Sequence, residues 1–258
     1  MARATMGSLE WGERTHGILS RPEQMRLVAG LVRAQVTEKL SRLIARFGVH
    51  DRRIDRVDLD AVTIPDSAAA NAAMDLVHRH HSDALRLHCL RTYYFAAVWS
   101  QFHGLRVDTE ALYVASLLHD LGLADGFRDQ SACCGFAVVG ARSARQFAAD
   151  QGWEERRRRL VYEAISYHLN PYLSLSRHDP EAACLQRGAH LDVIGTGAHL
   201  LPRGILDAVH DLCPRAGFRD EILETMSAMQ HAPGSRASVL VNLGFLKMAA
   251  QNPLDRPA

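Results

Sequence analysis

Thirteen consecutive residues, Ala111-Leu-Tyr-Val-Ala-Ser-Leu-Leu-His-Asp-Leu-Gly-Leu123, limit what this chain can fold into more than any other stretch. They are apolar on nearly every side for three turns and then present His119 and Asp120 side by side. A helix that is hydrophobic all round belongs in the middle of a protein, so the polar pair arrives in the interior with it. A buried imidazole and carboxylate are costly unless something pairs with them. Gly122 reads as a C-terminal stop, and the carbonyl end of a helix suits a cation. A bound metal ion accounts for all of this, with further ligands to come from elsewhere in the chain.

The other segments read as helices too. Ser20-Arg-Pro-Glu resembles a helix start, and apolar residues recur at helical period from Leu27 to Phe47, with Gly48 as the stop. His50–Val62 alternates charged and apolar residues and reads as an extended loop, with a short strand as the alternative. Asp66 or Ser67 caps an alanine-rich helix to His81, and Ser82 or Asp83 caps the next, Ala84 to about Phe102. Asp108 opens the central helix. Helices are expected near Phe136–Gln151, Trp153–Leu169, Pro180–Leu200, Arg203–Leu212, Arg219–Met229 and Ser238–Ala250. Residues 1–20 read as an irregular arm, and residues 21–258 as one all-α domain of eight to ten helices.

Composition excludes more than it proposes. The balance of 30 basic and 29 acidic residues gives no reason to expect nucleic acid or a membrane surface as a partner. Five cysteines without C-x-x-C spacing point to a reduced, cytoplasmic setting rather than a disulfide framework. No apolar run approaches the ~20 residues that span a bilayer. The expected partner is a small molecule, with homo-oligomerisation through the apolar Ser238–Ala250 tail as an option. Fourteen histidines are the compositional hint of chemistry.

Four positions could complete or serve the central pair. Asp192 shares a helical face with Leu185, Ala189 and Val193, where a carboxylate must be paired or bound to metal. His88 lies on a face with Ala84, Thr92 and Phe95, and Arg91 one turn on could reach an anionic or polar group. His168, on a face with Val161, Ala164 and Ile165, could be a base or a ligand to a second metal, as could His190. The bland alternatives are a hydrogen-bonded core histidine, a buried salt bridge for Asp192 and a surface role for Arg91. The His78, His80, His81 cluster lacks ligand spacing and reads as surface, and Cys133-Cys134 reads as packing.

In order, His88, His119-Asp120 and Asp192 resemble the HD-domain superfamily of metal-dependent phosphohydrolases. Ile64-Pro-Asp-Ser67, Leu87-His-Cys-Leu-Arg-Thr-Tyr-Tyr-Phe-Ala96, Ala115-Ser-Leu-Leu-His-Asp-Leu-Gly122 and Gly188-Ala-His-Leu-Asp-Val-Ile-Gly195 resemble its cyanamide hydratase-like branch, most clearly over residues 60–200. That resemblance implies an HD-type helical bundle around the central helix. It implies His88, His119, Asp120 and Asp192 as ligands of a divalent transition metal, zinc first, with iron or manganese as options. It also implies a metal-activated water adding to a nitrile-like carbon, as in cyanamide to urea, with Asp120 and His168 as catalytic groups and Arg91 at the substrate. Where the branch carries Arg and Glu after the His-Asp helix, this chain has Gly135 and Ala137, which opens the substrate to question. The alternatives are an HD phosphohydrolase, with Arg91, Arg142 or Arg145 as phosphate clamps, and a non-catalytic metal-containing binding module.

Overall fold

The computed structural model describes residues 4–47 and 51–255. Within them, thirteen α-helices are joined by turns and short 3₁₀ segments, and an isolated bridge between Ile18 and Ser235 is the only β pairing among the described residues. The helices are α1 (Leu9–Thr15), α2 (Arg21–Arg46), α3 (Ala68–His80), α4 (Asp83–His103), α5 (Thr109–Leu118), α6 (Arg128–Cys133) and α7 (Phe136–Asp150). They continue as α8 (Glu155–Tyr167), α9 (Pro180–Ile194), α10 (Arg203–Leu212), α11 (Phe218–Ala228), α12 (Arg236–Asn242) and α13 (Phe245–Ala250). No helix among the described residues is long and apolar enough to cross a membrane.

Local chemistry sets the ends of the helices that matter. The Ser82 hydroxyl accepts from Leu85 N–H at the start of α4, which ends at Gly104 in the left-handed region. Asp108 accepts from Ala111 N–H to open α5. Pro180 occupies the first turn of α9, and Gly195 closes it at φ 69°. Ser67, rather than Asp66, caps α3.

The core forms where α5 is enclosed by α3, α4, α7, α8 and α9. Every residue of α5 from Ala111 to Leu118 is buried, as expected of a helix with no polar face. Two glycines set the spacing around it. A Cβ on Gly188 of α9 would lie 2.3 Å from the Thr92 carbonyl of α4, so the backbones touch there. A Cβ on Gly122 would lie 2.2 Å from the Phe136 carbonyl, so α7 closes directly onto the turn after Asp120.

Several expectations are corrected. The central helix ends at Leu118, and His119-Asp120 form a turn leading into a 3₁₀ segment at Leu121–Leu123, so Gly122 is a packing glycine rather than a stop. The N-terminal stretch expected to be irregular contains α1, anchored by buried Trp11, whose indole N–H donates to Glu23. Residues 52–56 form a 3₁₀ turn, with no strand among the described residues there. The Ser238–Ala250 helix is two helices broken at Gly244, and Pro180–Leu200 ends as an α-helix at Ile194. Gly48 and His50 lie outside the described residues.

Candidate metal centre

Four elements bring five polar side chains to one buried point. His88 comes from the second turn of α4, His119 and Asp120 from the turn after α5, His168 from the end of α8 and Asp192 from the last turn of α9. All five are almost fully buried. His88 Nε2 is 3.2 Å from His119 Nε2 and 3.4 Å from Asp120 Oδ2, and His119 Nε2 is 3.3 Å from the same oxygen.

The tautomers are fixed by what lies on the far side of each ring. His119 Nδ1 is 2.8 Å from the Ser116 carbonyl and His168 Nδ1 is 2.6 Å from the Ile165 carbonyl; both nitrogens must therefore carry the proton and donate. His88 Nδ1 donates in the same way to Asp192 Oδ2 at 2.7 Å. All three Nε2 atoms are left as acceptors. Two lone-pair nitrogens and a carboxylate oxygen within 3.4 Å of one another repel unless a proton or a metal ion sits among them. His88, His119 and Asp120 are accordingly a group able to hold a metal ion. Ligand atoms on a tetrahedral ion with bonds of about 2.0–2.1 Å are about 3.4 Å apart, so these residues fit such an ion as they stand.

Electrostatics agree. Burial works against charge on His119, but adjacent Asp120 outweighs it and raises the imidazole well above its usual pKa. Burial likewise penalises the Asp120 carboxylate, and the His119 charge nevertheless holds its pKa well below the usual range. The pair thus retains a positive charge beside Asp120, which a proton on His119 supplies when no metal does.

His168 is brought to the centre but not into the ligand group. Its Nε2 is 3.7 Å from Asp120 Oδ1, beyond a direct hydrogen bond. Burial, and then the neighbouring His119, lower its pKa to about 3, so it is a neutral acceptor. His190 donates from Nε2 to the His168 carbonyl and accepts from Gln186 at Nδ1, which leaves it no lone pair for a second metal.

Asp192 and Arg91 differ from expectation. Asp192 sits across the His88 ring from the converging Nε2, and its two oxygens are taken by His88, Arg91 and Arg215. Burial opposes its charge, but Arg91 and then Arg215 lower its pKa well below the usual value. It orients His88 rather than joining the three converging atoms. Arg91 is fully buried and spends its fork on Asp192 and on the Pro214 and Cys213 carbonyls.

Four neighbours carried no sequence signal. Arg215 bonds Asp192 and Asp255, and Phe218 stacks on the His88 ring at 4.5 Å and 12°. Arg236 is buried beside His168 and bonds Ser166 and the Asn170 side chain, with no carboxylate partner among the described residues; burial first of all lowers its pKa to about 10. His81, expected at the surface, adjoins the centre instead: its Nδ1 is 3.8 Å from Cys89 Sγ, and its Nε2 has no partner among the described residues. Ala137, where the resemblance led one to look for a glutamate, packs among Leu123, Phe136 and Phe218.

A family model described as HD domain matches residues 86–192, from the first turn of α4 to Asp192. No curated protein matches the chain.

Proposed function

We propose that this HD-type core is a metal-dependent hydratase or hydrolase, with His88, His119 and Asp120 as ligands of one divalent transition ion. The observation carrying the proposal is the convergence of three buried acceptor atoms within 3.4 Å, each imidazole held in the tautomer a metal requires. Three protein ligands leave room for water and substrate, the arrangement of catalytic rather than structural sites. Zinc is the first candidate and iron or manganese the alternatives, since mixed histidine and carboxylate sets serve all three. Such an ion would supply Lewis acidity and lower the pKa of a bound water.

The remaining steps belong to the chain's own residues. Asp120 Oδ2 faces the two imidazoles, while Oδ1, turned toward His168, is available to accept a hydrogen bond from an entering water. In this reading His168 Nε2, left as an acceptor by the Nδ1 bond to the Ile165 carbonyl, would take a proton and return it to the product nitrogen or oxygen. The buried walls around Phe136, Phe218 and Leu123 exclude bulk water.

For the substrate, we favour an uncharged electrophile such as a nitrile, with cyanamide to urea as the first reaction to try. The arginines that could have clamped a phosphate are engaged elsewhere. Arg91 holds Asp192, Arg142 holds Glu13 and His16, and Arg145 holds Glu155. One observation favours the phosphoester reading: Arg236 is a buried guanidinium without a carboxylate partner among the described residues. Parallel assays of metal-loaded protein separate the two readings. Urea or ammonia from cyanamide is the expected result, and phosphate release from nucleotides or phosphomonoesters, abolished in Arg236→Gln, would replace the nitrile reading.

A further inference from the structure

Away from the centre, the most unusual feature is the outward side of α2. Eight of the thirteen exposed large hydrophobic residues among the described residues lie on this element or at its cap: Met25, Val28, Val32, Val36, Leu40, Leu43, Ile44 and Phe47. Its inward side is already occupied. Leu27 and Glu23 are buried, Gly30 rests on Pro171, Glu38 accepts from Gly197 N–H, and Ser41 meets His199. The two sides are separated by half a helical turn, so the mixed inward side is covered while the apolar side is open.

The open stripe has internal symmetry. Met25, Val28, Ala29 and Val32 precede Val36 by eleven, eight, seven and four residues, and Phe47, Ile44, Leu43 and Leu40 follow it at the same intervals. A two-fold interface requires each surface to complement itself, with residue i meeting j and j meeting i. Two antiparallel copies of α2 with the axis at Val36 meet this condition. The spacing matches along the whole stripe, and the smaller N-terminal side chains oppose the larger C-terminal ones: Ala29 against Leu43, Val28 against Ile44, Val32 against Leu40. Large against small is what interdigitated packing needs. An eleven-residue repeat also keeps the stripe almost straight along the helix, so the contact persists over about 33 Å. Eight large apolar side chains exposed along one side of a helix form the kind of contiguous patch that marks an interaction site.

We propose that this face of α2 is the interface of a symmetric dimer, and that a second copy of the chain is its occupant. The rival is a lipid surface. Six basic and two acidic residues on α2 concentrate positive charge that the near-neutral whole chain conceals, and basic amphipathic helices bind anionic membranes. A lipid surface has no use for the symmetry about Val36; a second copy requires it.

The test is the solution mass of the full chain by light scattering and sedimentation at micromolar concentration. Wild type is expected at twice the chain mass. Val36→Glu, which sets two carboxylates against each other at the axis on a half-exposed position, is expected at the monomer mass with unchanged circular dichroism. Val36→Cys is expected to cross-link to itself in high yield under conditions that leave wild type, with its own cysteines, uncoupled. A monomeric wild type overturns the proposal, and if that monomer floats with phosphatidylserine vesicles the occupant is lipid. A dimer that survives both Val36→Glu and Val36→Glu combined with Leu40→Glu also overturns it.

Discussion

The two sides of the His88 ring hold two aspartates that look alike in sequence and behave differently in the structure. Asp120, on the Nε2 side, meets only imidazoles; its one source of positive charge is a proton on them or an ion among them. Asp192, on the Nδ1 side, meets two arginines as well as the ring, and its charge is already matched. Burial penalises both carboxylates, and their neighbours make the difference. A buried carboxylate supplied with guanidinium groups is a fixed structural anion. One supplied only with lone-pair nitrogens belongs to a group able to hold a cation. On that basis Asp120 is the proposed ligand and Asp192 the group that orients a ligand.

The comparison breaks most visibly in Asp120→Asn. This change removes the proposed ligand while keeping the shape, and it should abolish stoichiometric metal and lower kcat/KM by at least about 10³-fold, read by elemental analysis and single-substrate kinetics. His168→Gln should retain the metal and lower kcat by about 10²-fold, the usual range for a lost proton-transfer group; loss of metal in this variant would make His168 a ligand instead.

Changes on the Asp192 side should act on stability and affinity first. Asp192→Ala strands Arg91 and Arg215 in the interior and should cost about 3–5 kcal/mol in denaturant unfolding, whereas Asp192→Asn should keep the fold and weaken metal binding by about 10–100-fold. A chelator should lower the Tm of wild type and Asp192→Asn but not of Asp120→Asn, because only bound metal contributes to the folded state. The smallest effect belongs to Phe218→Leu, which loses the stacked face of His88 at roughly 1 kcal/mol of stability or less, with metal content unchanged.

What could be read in the sequence follows the same division. The all-round apolar α5 was legible because burial on every side leaves no polar stripe to hide it. His88 is legible because it stands on a helix whose period points inward, and His119 and Asp120 because they follow directly on the buried α5. The bend at His119 was not legible; it depends on α7 pressing Phe136 onto Gly122, a contact made by residues fourteen positions apart. Asp192 was correctly placed in the core, yet its partner Arg215 comes from the loop before α11, where no periodicity signals burial. A helical position says which way Arg91 points, not which carboxylate it meets: its partner Asp192 stands on another helix. The α2 stripe looked like an ordinary core face in sequence, since a period of 3.6 does not tell a covered face from an open one.

Metal affinity of matched variants tests the division between the two aspartates directly. Purified wild type, Asp120→Asn and Asp192→Asn would each be titrated with zinc, and separately with manganese, with binding followed by calorimetry at constant pH. The expected result is one site per chain in wild type, no measurable site in Asp120→Asn, and one weakened site in Asp192→Asn. Equal loss of the site in both variants, or retention in Asp120→Asn with loss in Asp192→Asn, would contradict the assignment and make Asp192 a ligand.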